Sequence, residues 1–323
     1  MVNIEVRSRS KSLLGLSTNE LSLDDPVSAL AELISESNKD ISVNRLRITI
    51  NDAAVKKQIP LESDKSFIDN GVPRGAPEIT LYVKDLGPQI AWKTVFLVEY
   101  LGPLLLHPLF YHFTSIYSTA AGVHTQTQKL AYAMVLLHFL KREYETMYVH
   151  SFSQATMPIF NIFKNSSHYW ILSGFNLAFF IYSPNFATGS KSNAFTKFLF
   201  YVNDLPTWAN ALLVLGWIFA EVSNFKTHLI LASLRSSDPK APKKHVIPYG
   251  YGFNLVSFPN YFFESLGWLF FAVLTNNWSA WLFLAISSGQ MFIWAEKKHK
   301  RYLKTFGDEY KKLKRTAFIP YVI

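Results

Sequence analysis

The spacing of apolar residues changes along the chain. Over residues 2–23 apolar and polar positions alternate, with Val2, Ile4 and Val6 in one run and Leu14, Leu16, Leu21 and Leu23 in the next. That two-residue period predicts strands over 2–9 and 13–23 joined as a hairpin. At Val27, Leu30, Leu33 and Ile34 the period becomes helical, with Asp25 as an N-cap and Pro26 suited to the first helical position. Residues 46–50 and 79–83 read as further strands, and Gly87-Pro88 breaks the pattern. Beyond it, apolar windows near 92–117, 127–149, 168–183, 208–233, 256–275 and 278–295 are long enough, or nearly so, to cross a hydrocarbon core of about 30 Å. The window 168–183, only 16 residues long, also suits a re-entrant or interfacial segment. The expected fold is mostly α: a polytopic helical membrane bundle of about six spans over 88–323, behind a small α+β domain over 1–87.

Composition sharpens this division. The whole chain is 49% hydrophobic and 16% aromatic, too apolar for an average soluble domain. Residues 2–12 mix apolar and charged side chains, so no cleaved signal peptide is expected. The absence of Cys excludes disulfides, thiolate catalysis and Cys-type zinc or iron–sulfur sites. A net charge of +9 would suit nucleic acid, anionic lipid or a phosphate-bearing ligand. Its distribution decides. Loops that would share one side carry Lys141, Arg142, Lys164, Arg235, Lys240, Lys243, Lys244 and nine cations between 297 and 315, sixteen in all, against Lys129, Lys191 and Lys197 on the other. The positive-inside rule then puts both termini in the cytosol and leaves nucleic acid without support.

Polar groups inside apolar spans are costly and mark candidate sites. In the second window Lys141 and Glu145 stand one helical turn apart, as do Tyr144 and Tyr148. This is either a snorkelling helix end or a cation set beside a phosphate or a tyrosine hydroxyl. In the fourth, Asn224, His228, Leu231 and Arg235 share a helical face. They serve either as interhelical hydrogen bonds or as one wall of a cofactor groove. In the fifth, Gly250 and Gly252 precede Asn260, Tyr261 and Glu264. The glycines allow close backbone approach to a ligand, and an amide with a carboxylate can read a ribose or an amide; helix capping by Asn260 is the structural alternative. His107 and His112 are five apart, not the spacing of a helical zinc pair, and no metal site is expected.

These motifs carry a resemblance. Asn224-Phe-Lys-Thr-His228, Leu231, Arg235, Val256-Ser257, Pro259-Asn260-Tyr261, Glu264, Trp268, Trp294, Lys298-His299, Tyr302-Leu303, Phe306 and Ile319-Pro320 resemble the C-terminal domain of the steroid 5α-reductases, here over about 165–323. Lys141-Arg142-Glu143, Glu145-Thr146, Val149-His150, Phe152-Ser153, Thr156-Met157-Pro158 and the run Asn161 to Lys164-Asn165 resemble the very-long-chain trans-2-enoyl-CoA reductases of that superfamily. So does the N-terminal module, whose ββαβ…β order is similar to that of ubiquitin. The resemblance covers nearly the whole chain. It implies a multi-pass endoplasmic-reticulum enzyme that reduces the trans-2 double bond of very-long-chain enoyl-CoA with NADPH, among membrane lipid and the other fatty-acid elongation enzymes. It implies cofactor binding at Asn224, His228, Arg235, Asn260, Glu264, His299 and Tyr302. The sequence departs from steroid-reducing relatives at His228, where they carry an acid, and at Phe139, where they carry a tyrosine.

Hydride addition at C3 of an enoyl thioester leaves negative charge on the thioester oxygen and C2, so the site needs a donor near the oxygen and an acid near C2. Tyr261 fits the acid. A tyrosine hydroxyl is sluggish at neutral pH, and a nearby cation favours its phenolate, the role expected of Lys141. Substrate contacts are expected at Arg142, Glu145, Lys243 and Lys244, with the CoA head on the basic cytosolic face. No Gly-rich nucleotide fingerprint follows a strand, so the helix bundle itself should grip the cofactor. Competing classes are a steroid or polyprenol double-bond reductase, an isoprenylcysteine-type methyltransferase using S-adenosylmethionine, and a non-enzymatic membrane adaptor displaying a ubiquitin-like domain.

Overall fold

The computed structural model describes residues 2–39, 41–52, 57–75, 78–117, 123–151, 155–183, 193–234 and 246–322. They form two compact units, one from residues 1–92 with 153–161, the other from 93–152 with 162–323.

In the first unit a five-stranded sheet packs on one helix. The strands are β1 (Asn3–Ser8), β2 (Leu16–Thr18), β3 (Leu46–Asp52), β4 (Lys57–Pro60) and β5 (Glu78–Asp85), in the order β2-β1-β5-β3-β4, with β1 and β5 parallel and the other pairs antiparallel. Ile79, Leu81 and Val83 of β5 alternate inward and meet Val27, Leu30, Ala31 and Ile34 of α1 (Val27–Ser37). The periods read from the sequence are therefore the ones that bury this core. Two details differ. The second strand shrinks to three residues, and Pro26, not Asp25, stands at the N-cap of α1. The Asp25 carboxylate instead accepts from the Ser22 backbone N–H at 2.7 Å, closing the turn ahead of the helix. Arg45 grips Asp85 through two hydrogen bonds of 3.0 and 2.7 Å. This guanidinium, aided by the Gly87 N–H, holds the Asp85 carboxyl down at about 2. A short ladder of β6 (Gln89–Ala91) with β7 (Thr156–Pro158) completes the unit.

The second unit is helical. Its elements are α2 (Trp92–His112, whose first residue is counted with the first unit), α3 (Gln126–Tyr148), α4 (Asn161–Ser167) running through a π-helical stretch (His168–Asn176) into α5 (Leu177–Ile181), α6 (Ala194–Leu199), α7 (Thr207–Ser233), α8 (Pro259–Thr275) and α9 (Trp278–Lys311). The six apolar windows correspond to α2, α3, the α4–α5 run, α7, α8 and the first half of α9. Two of these, α2 and α7, are long and apolar enough to cross a membrane by length and composition, with mean hydropathy 1.3 and 1.2. The others fall short for visible reasons. α8 has 17 residues, the 161–181 run is divided by its π segment, and α3 carries a charged stripe.

Close helix approach follows from small residues. A Cβ at Gly102 would lie 2.6 Å from the Trp170 ring, and one at Gly216 would lie 2.5 Å from Phe270. Tyr100, Phe139, Leu177, Tyr182, Trp217, Trp268 and Phe271 fill the interior. His107 is held there between the Tyr182 hydroxyl at 2.6 Å and the Ser173 carbonyl at 2.8 Å. α9 breaks at Gly307 (φ 55°, ψ −127°), a left-handed position that glycine takes without a Cβ penalty. The chain then turns back, and Thr316 forms a parallel bridge with Val256 just before α8.

Candidate active site

Three helices turn polar stripes toward one another inside the second unit. α3 presents His138, Lys141, Arg142 and Glu145; α7 presents Glu221, Asn224 and His228; α8 presents Asn260 and Glu264. Steps of three, four and seven residues put each set on one helical face. Charges removed from water must be paired, and these are. Lys141 Nζ lies 2.6 Å from Glu221 Oε2 and donates to Asn224 Oδ1 at 2.7 Å. Arg142 Nη1 donates to Glu145 Oε2 at 2.5 Å, and its Nη2 to the Tyr100 hydroxyl at 2.8 Å. His228 Nδ1 meets Glu145 Oε1 at 3.0 Å. His138 bridges Glu221 at 2.8 Å and Glu264 at 3.3 Å. Both its nitrogens face carboxylates, so both donate, and the imidazolium adds a third positive charge to those of Lys141 and Arg142. Three cations thus balance the carboxylates of Glu145, Glu221 and Glu264.

The first turn of α8 links this network to a second cluster. The Asn224 amide donates to the Asn260 backbone carbonyl at 2.9 Å, fixing the helix start. Gly252 has φ 76°, and a Cβ there would lie 2.7 Å from Pro259, so this turn requires glycine. One residue after Asn260 the direction reverses. Tyr261 points toward α9, where its hydroxyl accepts from Lys298 Nζ at 2.7 Å, with Phe258 and Trp294 alongside. Farther along α9, Ser257 Oγ bonds His299 Nδ1 at 2.7 Å, the Tyr310 hydroxyl at 2.5 Å and the Thr316 carbonyl at 3.0 Å. Tyr302 packs on Phe258 at 5.7 Å. Partial burial holds the His299 imidazole below the ordinary histidine range.

Of the residues expected at a site, Lys141, Arg142, Glu145, Asn224, His228, Asn260 and Glu264 converge. Tyr261, His299 and Tyr302 gather in the second cluster, against the returning tail. Arg235, Lys243 and Lys244 lie outside the described residues. One pairing is corrected: Lys141 is engaged by Glu221 and Asn224, and the cation on Tyr261 is Lys298. Arg142 and Glu145, expected to meet substrate, are buried against each other. Glu145, His150 and His228 could each offer one metal-ligand atom, all within 4.8 Å of one another, but Glu145 already carries the guanidinium of Arg142.

Sequence reading missed His138, Glu99 and the role of Lys298. Glu99, in α2, is 2% exposed with one carboxylate oxygen unpartnered. Its signal was a lone acid in an apolar window.

A nicotinamide cofactor would need an amide acceptor in such a site. Asn260 Oδ1 is buried without a hydrogen-bond partner, and it neighbours the Asn224 and Glu264 positions, so the residues fit. Residues 155–323 match the family described as 3-oxo-5-alpha-steroid 4-dehydrogenase. A Schizosaccharomyces pombe protein with a provisional enoyl reductase name is 47% identical over 94% of this chain and 95% of its own. The chain belongs to the steroid 5α-reductase family. Within that family, the very-long-chain enoyl-CoA reductase of Dictyostelium discoideum is 36% identical over 100% of both chains. A Caenorhabditis elegans member, provisionally given the same name, is 36% identical over 91% of this chain and 92% of its own. Membership in the steroid 5α-reductase family together with these enoyl reductase relatives implies redox chemistry with a nicotinamide cofactor.

Proposed function

We propose that this protein reduces the trans-2 double bond of very-long-chain enoyl-CoA to the saturated acyl-CoA, with NADPH, at the endoplasmic-reticulum membrane. The chain is an oxidoreductase of very-long-chain fatty-acid elongation. The observation that carries this reading is similarity to the Dictyostelium reductase along the whole of both chains. The inverted polarity of the second unit supports a membrane setting. Leu137, Leu140, Leu212, Leu215, Phe219 and Val222 are exposed while charged groups occupy the interior, an arrangement suited to lipid and unfavourable in water. We read the chain as six spans with both termini in the cytosol, the N-terminal unit as ubiquitin-like, and other elongation enzymes as neighbours.

When bound, NADPH supplies the hydride. Asn224, His228, Asn260 and Glu264 would hold it, with Arg235, His299 and Tyr302. The unpartnered Asn260 side-chain oxygen would accept from the carboxamide. Tyr261 delivers the proton to C2. The Lys298 ammonium stands where the tyrosine oxygen acquires charge on giving up that proton, and it stabilises the product of that step. Lys141 acts at one remove, orienting Asn224 while neutralising Glu221. Arg142 and Glu145, paired with each other, shape the substrate side, and Lys243 and Lys244 favour the phosphates of CoA.

The test is NADPH oxidation by purified protein supplied with a long-chain trans-2-enoyl-CoA. Tyr261→Phe removes one hydroxyl and should lower turnover about 10²- to 10⁴-fold, the usual cost of a lost general acid. Turnover within a few-fold of wild type would remove Tyr261 from the mechanism. Failure of the wild-type protein to oxidise NADPH with any enoyl-CoA would remove the activity itself.

A further inference from the structure

The solvent face of the N-terminal sheet concentrates positive charge at one end. Register sets Arg47 of β3 directly opposite Lys84 of β5, and Arg7 of β1 beside Tyr82 of β5. The Arg9 N–H donates to the Val83 carbonyl at 2.8 Å, which brings Arg9 level with Lys84. Arg9, Lys84 and Arg47 therefore form one row across three neighbouring strands. All four cations are exposed, and they alternate with buried Val6, Ile48 and Val83, so they share the face away from the core. The carboxylates nearby do not neutralise the row. Glu5 is taken by Arg7 at 2.9 Å, and Asp85 turns to Arg45 at 2.7 Å. Among the described ion pairs none involves Arg9, Arg47 or Lys84; Arg9 instead donates to the neutral Gln58 amide. Like charges directly opposite each other weaken a sheet, and an anionic partner removes that cost.

We propose that this row docks the N-terminal unit on anionic phospholipid headgroups of the membrane in which the chain resides. The covalent connection favours lipid over a free acidic protein. Lys84 precedes Trp92, the first residue of the apolar helix α2, by eight residues, which span at most about 29 Å fully extended. The row is thus tethered close to any bilayer that α2 enters, where anionic headgroups are concentrated and attract basic groups within a Debye length. The inference rests on the membrane reading above.

The chain has no Cys, so one cysteine at exposed Ser37 of α1, a helix packed on the opposite face of the sheet, can carry a fluorescent donor away from the row. The labelled full chain is reconstituted into phosphatidylcholine vesicles with or without phosphatidylserine, each containing an acceptor lipid. Energy transfer should rise with phosphatidylserine and fall again in high salt. The triple variant Arg9→Glu, Arg47→Glu, Lys84→Glu should lose that response, at roughly fivefold per cation in the docked-to-free ratio. The milder Arg9→Gln, Arg47→Gln, Lys84→Gln variant should lose it too and guards against a folding defect. Its NADPH oxidation should stay at the wild-type level. Equal transfer in both vesicle types, or transfer that responds only to an added acidic protein, overturns the proposal. Failure of the chain to float with vesicles in high salt would instead overturn the membrane reading beneath it.

Discussion

Lys141 and Lys298 are both lysines beside candidate catalytic machinery, yet their surroundings assign them different work. Among the described residues Lys298 meets the Tyr261 hydroxyl and the rings of Phe258 and Tyr261, so losing its charge affects the tyrosine directly. Lys141 is bound to a buried carboxylate and to Asn224, so losing its charge leaves only His138 on Glu221 and two cations for the three carboxylates of the network. Such a loss costs about 3–5 kcal/mol. Lys298→Met should therefore lower kcat with little change in melting temperature or in the KM for NADPH. Lys141→Met should lower the melting temperature and raise that KM. Steady-state kinetics and thermal melts on the two variants decide between these patterns, and equal effects on both quantities would refute the division. That Asn224, Asn260 and Glu264 share one interior was legible in the sequence because helical spacing is a local property. The partner of Tyr261 was not, because Lys298 lies 37 residues away and reaches it only when α9 packs beside α8.

At the scale of elements, the apolar windows marked where helices lie but not how far they run. α9 runs past its apolar window to the break at Gly307 because its later turns are amphipathic, burying Ala295 while leaving Lys300 and Lys304 in solvent. A hydropathy window stops where such a face begins. The strand β4 was missed since Lys57-Gln-Ile-Pro60 is a short edge segment with little alternation. Packing between α7 and α8 depends on Gly216, whose added methyl would meet the Phe270 ring at 2.5 Å. Gly216→Ala should destabilise the protein by about 1–3 kcal/mol, the cost of forcing a well-packed core apart. Gly289 in α9 is the control, because a Cβ there meets nothing within 4 Å. Gly289→Ala should be neutral or stabilise by up to about 1 kcal/mol through helix propensity. Denaturant or thermal melts in detergent should separate the two, and equal stability of both variants would show that α7 and α8 are not held this closely.

For the whole molecule, the division into a sheet-containing unit and a helical unit was legible because alternation and long apolar windows occupy different stretches of the sequence. The assignment of residues 153–161 to the first unit was not, since β7 reaches β6 by a pairing of residues some 67 apart that no local pattern encodes. Orientation is a separate matter, carried by charge. Sixteen Lys and Arg on one set of loops against three on the other give a bias that membrane insertion obeys. On the proposed topology Lys298 and the basic end of α9 belong on the cytosolic side, with NADPH and acyl-CoA. The same proposed topology expects the stretch of sequence around Ser190 on the lumenal side. An N-glycosylation acceptor inserted there, at Ser190, should be modified in microsomes, whereas acceptors placed ahead of Val2 or following Ile323 should stay unmodified. The readout is a mobility shift removed by a deglycosylating enzyme. Modification at either terminus with none at Ser190 would invert the orientation and carry the proposed site away from its substrates.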